Sequence, residues 1–219
     1  NTRTLEFRYR QAFRTGGIEV HGAVSDDDLR PGELRGYIDG RGAFALPRDF
    51  RLEFDVEGTL DDAYPTEYDY LDKDRLDSQL AVSRVRRDEY IRGALTNYHT
   101  LREDEDDANI PSLIGDITYE RRFFPRRIGG ELRLGTELHS HYRYSDLDVD
   151  GPDPDTVVDG RDVTRLTVEA AWLNTWTLRS GIRAEAEAGV ALDGVWTGQD
   201  MSLPATQSGA APRVGVTFR

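Results

Sequence analysis

Apolar and charged residues alternate with a period of two along nearly the whole of this 219-residue chain, and that pattern restricts its fold more than any other feature. Phe50, Leu52, Phe54, Val56, Gly58 and Leu60 share one parity, while Arg51, Glu53, Asp55 and Glu57 take the other. Ile182, Ala184, Ala186, Ala188, Val190, Leu192 and Trp196 stand in the same way against Arg183, Glu185, Glu187 and Asp193. Leu34, Ile38, Phe44 and Leu46 oppose Glu33, Arg35, Asp39 and Arg41; Leu132, Leu134 and Leu138 oppose Glu131, Arg133 and Glu137. Successive side chains of a strand point to opposite faces, so each run sorts into an apolar and a charged face, whereas helical spacing would mix the two. The chain reads as strand.

Alternation alone also fits a soluble antiparallel sheet with one solvated face. Strand length, connections and aromatic placement separate the cases. About eleven alternating segments can be counted, many of about 9–13 residues, against about 5–6 for strands of soluble domains and about 9–11 for a tilted strand that crosses a bilayer. Tight links around Thr15-Gly16-Gly17, Pro47-Arg48-Asp49, Arg86-Arg87-Asp88, Pro125-Arg126-Arg127 and Arg179-Ser180-Gly181 alternate without exception with longer acidic ones over 25–32, 61–74, 102–109, 145–162 and 198–211. Phe13, Phe44, Phe50, Tyr64, Tyr90, Phe123, Phe124, Tyr142, Tyr144, Trp176 and Trp196 fall near expected strand ends, where a ring with a polar edge suits the headgroup zone. These features predict an all-β fold, an antiparallel up-and-down transmembrane β-barrel, with this chain a part of the wall.

Composition permits that reading. The chain is 37% hydrophobic and 32% charged with a formal net charge of -13. No apolar run approaches the roughly 18 residues of a spanning helix, but barrel strands carry apolar residues only at alternate positions and look hydrophilic on average. Cysteine is absent, which removes a disulfide framework, thiolate metal sites and a Cys nucleophile. Lys73 is the only Lys, and the acidic balance argues against nucleic-acid binding. The sequence opens on Asn1 inside strand-like residues, without an initiator Met or signal-peptide pattern, and 214–219 also reads as strand. Residues 1–219 are therefore expected to be a single fragment of one barrel domain, unstable alone because two open sheet edges are costly in lipid.

On this reading the charged parity faces a water-filled interior, since an Arg or Lys at the bilayer midplane costs about 2–4 kcal/mol. The candidate lining residues are Arg51, Glu53, Asp55, Glu57, Glu131, Arg133, Glu137, His139, His141, Arg183, Glu185 and Glu187. They could border a hydrated path for a polar cargo, dock a partner, or simply pair with one another across strands. Glu137, His139 and His141 share one strand face and form a weak candidate for zinc. Ser140 lies between the histidines but points the other way, and no nucleophile, base and acid converge, so no enzyme is expected. No cofactor is expected either. The acidic runs 103–107 and 146–159 could hold calcium or magnesium, though neither fits a helix-loop-helix calcium spacing.

Three stretches carry a resemblance to a known family. The first runs from Arg87-Asp88-Glu89-Tyr90 to Tyr98-His99-Thr100-Leu101 before an acidic loop. The second is Asn109-Ile110-Pro111-Ser112-Leu113-Ile114-Gly115-Asp116-Ile117-Thr118-Tyr119, followed by Arg121, Phe123 and Gly129-Gly130. The third is Gly160-Arg161-Asp162-Val163-Thr164-Arg165-Leu166, with Trp172 beyond it. Their order and spacing resemble the barrel domain of the outer-membrane lipopolysaccharide-assembly family, also called the organic solvent tolerance family, in its alphaproteobacterial form. Gly115 stands where that family commonly has a second Pro. The resemblance implies a non-enzymatic protein of the bacterial outer membrane that assembles lipopolysaccharide into the outer leaflet through a much larger barrel. It further implies a lipoprotein plug inside the barrel, a periplasmic bridge protein as donor, and a lateral gate outside this fragment. A general porin or receptor barrel and a soluble β-sandwich binding module are the alternatives.

Overall fold

The computed structural model describes residues 2–103, 105–152 and 155–218. The expectations that touch Asn1, Asp104, Asp153, Pro154 and Arg219 lie outside the described residues. Eleven strands follow one another: β1 (Arg3–Phe13), β2 (Gly16–Asp26), β3 (Leu34–Ala45), β4 (Phe50–Thr59), β5 (Arg75–Arg86), β6 (Glu89–Thr100), β7 (Leu113–Phe123), β8 (Glu131–Tyr142), β9 (Asp162–Thr177), β10 (Arg183–Gly198) and β11 (Thr206–Phe218). A single turn of helix, α1 (Tyr64–Glu67), interrupts the β4–β5 loop. The strands form one sheet in sequence order, each antiparallel to the next. That order is an up-and-down wall, not the two Greek-key layers of a sandwich. No helix among the described residues is long and apolar enough to cross a membrane.

The strands run from 10 to 16 residues. At about 3.3 Å per residue and a tilt of about 40°, eleven residues rise about 28 Å, enough for an apolar band of about 25 Å. The register sorts the faces as the alternation requires. Val20, Gly40 and Val56 face one way in a row, as do Leu80 with Leu95 and Ile117 with Leu138. Many of these apolar side chains are exposed, among them Val56, Leu80, Leu95, Ile117 and Leu192. A soluble protein would bury such a face; a bilayer solvates it.

Short turns gather at one end of the wall and long loops at the other. The β3–β4 turn places Arg48 and Asp49 at φ of 63° and 66°. At the β7–β8 link Gly130 has a φ of 75°, and a Cβ there would lie 2.2 Å from the Leu173 carbonyl oxygen, so only glycine fits. Phe54 lies across Gly42 on the apolar face, where a Cβ would sit 2.5 Å from the ring.

Several local expectations are corrected. β2 continues through Ser25 and Asp26, and the last loop ends at Ala205, because Thr206 to Ala211 pair with β10. Phe13, Phe44, Phe50, Phe123 and Trp176 do lie on the apolar face near the short-turn end. Tyr90 instead lies opposite Val85 and Glu120 on the polar face. Tyr64 lies in α1 and is fully buried, so it belongs to no belt.

Candidate functional site

The polar face is a ladder of directly opposed charges and hydroxyls. One row reads Arg10, Glu19, Arg41, Asp55, Gln79 and Thr96 across β1 to β6. Glu19 accepts from Arg8 at 2.6 Å and pairs with Arg10 at 2.9 Å and Arg41 at 3.3 Å. A second row reads Arg51, Ser83, Arg92, Thr118, Glu137, Thr167 and Asp193 across β4 to β10. Asp193 accepts from Arg165 at 2.8 Å and from the Thr167 hydroxyl at 2.7 Å.

All twelve candidate residues stand on this face, in two neighbourhoods. Arg51, Glu53, Asp55 and Glu57 belong to β4; the others belong to β8 and β10. Four strand spacings of about 4.8 Å put roughly 19 Å of wall between β4 and β8, so the twelve share a face but not one site. Their main ion pairs run along a strand rather than across it. Arg51 meets Glu53 at 2.8 Å, Arg183 meets Glu185 at 2.8 Å, and Arg133 meets Glu131. Glu57 is held by Lys73 from the β4–β5 loop at 2.5 Å. Glu187 lies opposite Leu173 and Gly215.

Two hollows of the surface open on this side. One of about 530 Å³ is bordered by Glu120, Arg133, Glu137, Glu169 and Glu187. Another of about 670 Å³ is bordered by Arg10, Glu19, Arg41, Glu53, Asp55 and Arg92. The charged face is the concave one.

Glu137, His139 and His141 do not converge on a metal position. Alternate residues of a strand advance about 6.6 Å, which puts Glu137 about 13 Å along the strand from His141. His139 Nδ1 instead contacts Asp116 at 2.7 Å, and His141 Nε2 is buried without a hydrogen-bond partner among the described residues. Asp39, Asp55 and Glu57 do bring carboxylate oxygens within 4.8 Å of one another, but Glu57 already serves Lys73 and the Asp77 amide.

At the long-loop end, sequence reasoning missed a buried network. Arg35, 1% exposed, donates to Asp27 at 3.2 Å, Asp61 at 2.5 Å and Glu67 at 2.5 Å. Tyr68 donates to Asp27 at 2.5 Å, and this bond, with Arg35 and two loop amides, holds the Asp27 carboxyl below its usual range. The Tyr64 hydroxyl meets Ser25 at 2.7 Å, and the Tyr70 ring packs 4.5 Å from Tyr37. Tyr70 also donates to Glu6 of β1, so the β4–β5 loop folds inward over the polar face of the first strands. The partners of Arg35 lie 8, 26 and 32 positions away, and no local motif marks them. In the second half, Arg143 donates to the carbonyls of Asn109 and Arg161, and Arg161 donates to Asp200 at 2.5 Å.

A run of consecutive antiparallel strands, long enough for a bilayer, with an apolar exposed band outside and opposed charges on the concave side, defines the wall of an outer-membrane β-barrel. Residues 33–219 match the family described as LptD, LPS transport system D. The chain belongs to that family, a family of transport proteins of the outer membrane rather than enzymes. No curated protein matches the chain.

Proposed function

We propose that this stretch of wall lends its concave charged face to the passage of lipopolysaccharide on its way into the outer leaflet. The observation that carries the reading is the pairing of family membership over 33–219 with a polar lining of both signs. Saccharide hydroxyls and phosphates exchange hydrogen bonds readily with such a lining, and arginines already paired with carboxylates offer donors without a net positive field that would trap an anionic cargo. Arg51, Glu53, Asp55 and Glu57 form one part of this lining. Glu131, Arg133, Glu137, His139, His141, Arg183, Glu185 and Glu187 form another. A lipoprotein plug docked on the same face and a periplasmic bridge protein as donor follow from the family likeness, as does the alphaproteobacterial form carried by the stretches from Arg87 to Trp172. Depletion of the full-length protein should leave newly made lipopolysaccharide inside the outer membrane, measured as loss of surface labelling; normal surface display after depletion refutes the function.

A further inference from the structure

The apolar face breaks its own rule near the short-turn end, which is the periplasmic end of an outer-membrane barrel. Arg84 of β5, Glu89 of β6 and Arg121 of β7 stand there on the outward side. Arg84 lies opposite Phe50 and Ile91, and Glu89 lies opposite Arg121. Glu89 accepts from Arg84 at 2.6 Å and pairs with Arg121 at 3.2 Å, and Arg121 also meets Asp88 of the turn at 3.1 Å. The Arg84 guanidinium sits 4.5 Å over the Phe50 ring and that of Arg121 sits 5.6 Å over Phe123. Glu89 is only 8% exposed and Arg84 16%.

Three things point outward from this cluster. Arg84 Nε is buried with no hydrogen-bond partner among the described residues, so Glu89 leaves a donor of the fork unused. A buried donor left unpaired is costly, which favours any acceptor that can draw it out. The surrounding rim is basic: the turns carry Arg14, Arg48, Arg87, Arg126, Arg127 and Arg179 against Asp49 and Asp88, while the loops at the other end are rich in Asp and Glu. The depth also fits. Arg84 and Arg121 each lie two residues from a strand end, about 5 Å of height once the tilt is counted, where inner-leaflet headgroups sit.

We infer that Arg84 and Arg121 form a binding site for the phosphate of an inner-leaflet glycerophospholipid, with Phe50 and Phe123 against its upper acyl chain and Glu89 as an internal competitor for the same guanidinium donors. Planar guanidinium forks suit the paired oxygens of a phosphodiester, and their stacked rings hold them at the boundary. Glu89 balances charge beside the two cations while no lipid is present, but leaves Arg84 Nε unpaired.

The test is native mass spectrometry of the full-length protein released from detergent micelles doped with phosphatidylglycerol, with lipid A and inorganic phosphate as parallel arms. Loss of one charge-assisted hydrogen bond weakens retention by about tenfold or more, so R84Q with R121Q should shed phosphatidylglycerol at concentrations where the wild type holds it. E89Q removes the competitor and should hold it more tightly, while R84K should be intermediate, having charge without the fork. Opposite signs for R84Q and E89Q are the signature, because an ion pair that serves structure alone loses from either change in the same direction. Retention unchanged in the arginine variants, weakened by E89Q, or displaced equally by inorganic phosphate or lipid A overturns the proposal. If the double arginine variant fails to assemble, R84K and E89Q decide the matter. Surface display of lipopolysaccharide is a separate readout, so failure here leaves the transport reading standing.

Discussion

A single arginine placed on one face or the other of β6 separates the two environments of the wall. Leu95 stands near the middle of the strand, 48% exposed, between Leu80 and Gly115 on the apolar face. Its neighbour Ala94 points to the polar face between Ala81 and Asp116. Leu95→Arg places a guanidinium at the bilayer midplane, at a cost of about 2–4 kcal/mol, or roughly 30- to 700-fold in the folding equilibrium. Ala94→Arg places the same group on a hydrated face beside a carboxylate, and the variant should stay within about 1 kcal/mol of the wild type. Denaturant titration of the full-length protein folded into phospholipid vesicles, followed by tryptophan fluorescence, reads both. If Ala94→Arg costs as much as Leu95→Arg, the assignment of the faces is wrong.

Other consequences follow from particular contacts. Arg35→Ala removes the buried cation shared by Asp27 and Asp61, leaving Asp61 only Arg30 and releasing the half-exposed Glu67 to solvent, and should loosen the 27–33 and 60–74 loops by about 3 kcal/mol, seen as faster amide exchange there. Asp200, bonded to Ser202 and Arg161, has its pKa lowered from 3.8 to about 2. A depressed carboxylate stabilises the fold above its unfolded pKa and ceases to do so as pH falls through the folded value, so the 199–205 loop should open to protease between about pH 4 and pH 2, and Asp200→Asn should abolish that dependence. Gly130→Ala forces a Cβ against the Leu173 carbonyl at positive φ and should cost about 1–3 kcal/mol in the same denaturant assay. Residues 1–219 alone leave the outer edges of β1 and β11 unpaired in one open sheet and should not unfold cooperatively and reversibly in detergent.

Much of the fold was legible because the period of a strand is two and a bilayer imposes it strictly on one side. β4 could be drawn from Phe50 to Leu60 by parity alone, one residue past its end at Thr59, and the register pairs each of its apolar residues with an apolar residue or a glycine except Phe50, which meets Arg84. The start of β11 was not legible, since Thr206 to Ala211 carry no alternating contrast and become strand only through pairing with β10. The polar face was legible as a face; its ion pairs were not, because Glu19 draws Arg8, Arg10 and Arg41 from two neighbouring strands. Parity also misled at the histidines: Glu137, His139 and His141 do share a face, but the rise of a strand spreads them too far for one ion. The Arg35 network was out of reach, since its acids arrive from loops whose path depends on where α1 buries Tyr64.

The account stands on the sidedness of the wall, and a cysteine scan along β10 tests it most directly, since residues 1–219 contain no cysteine. In the full-length protein embedded in the outer membrane, single cysteines at Arg183, Glu185, Glu187 and Asp193 should react with a small water-soluble thiol reagent. Fluorophores attached at Ala186, Ala188, Val190 and Leu192 should instead be quenched by a lipid-dissolved nitroxide. A strict alternation of the two signals is the predicted result; equal water access at both sets, or the reverse pattern, would contradict a barrel wall with its charged face turned inward.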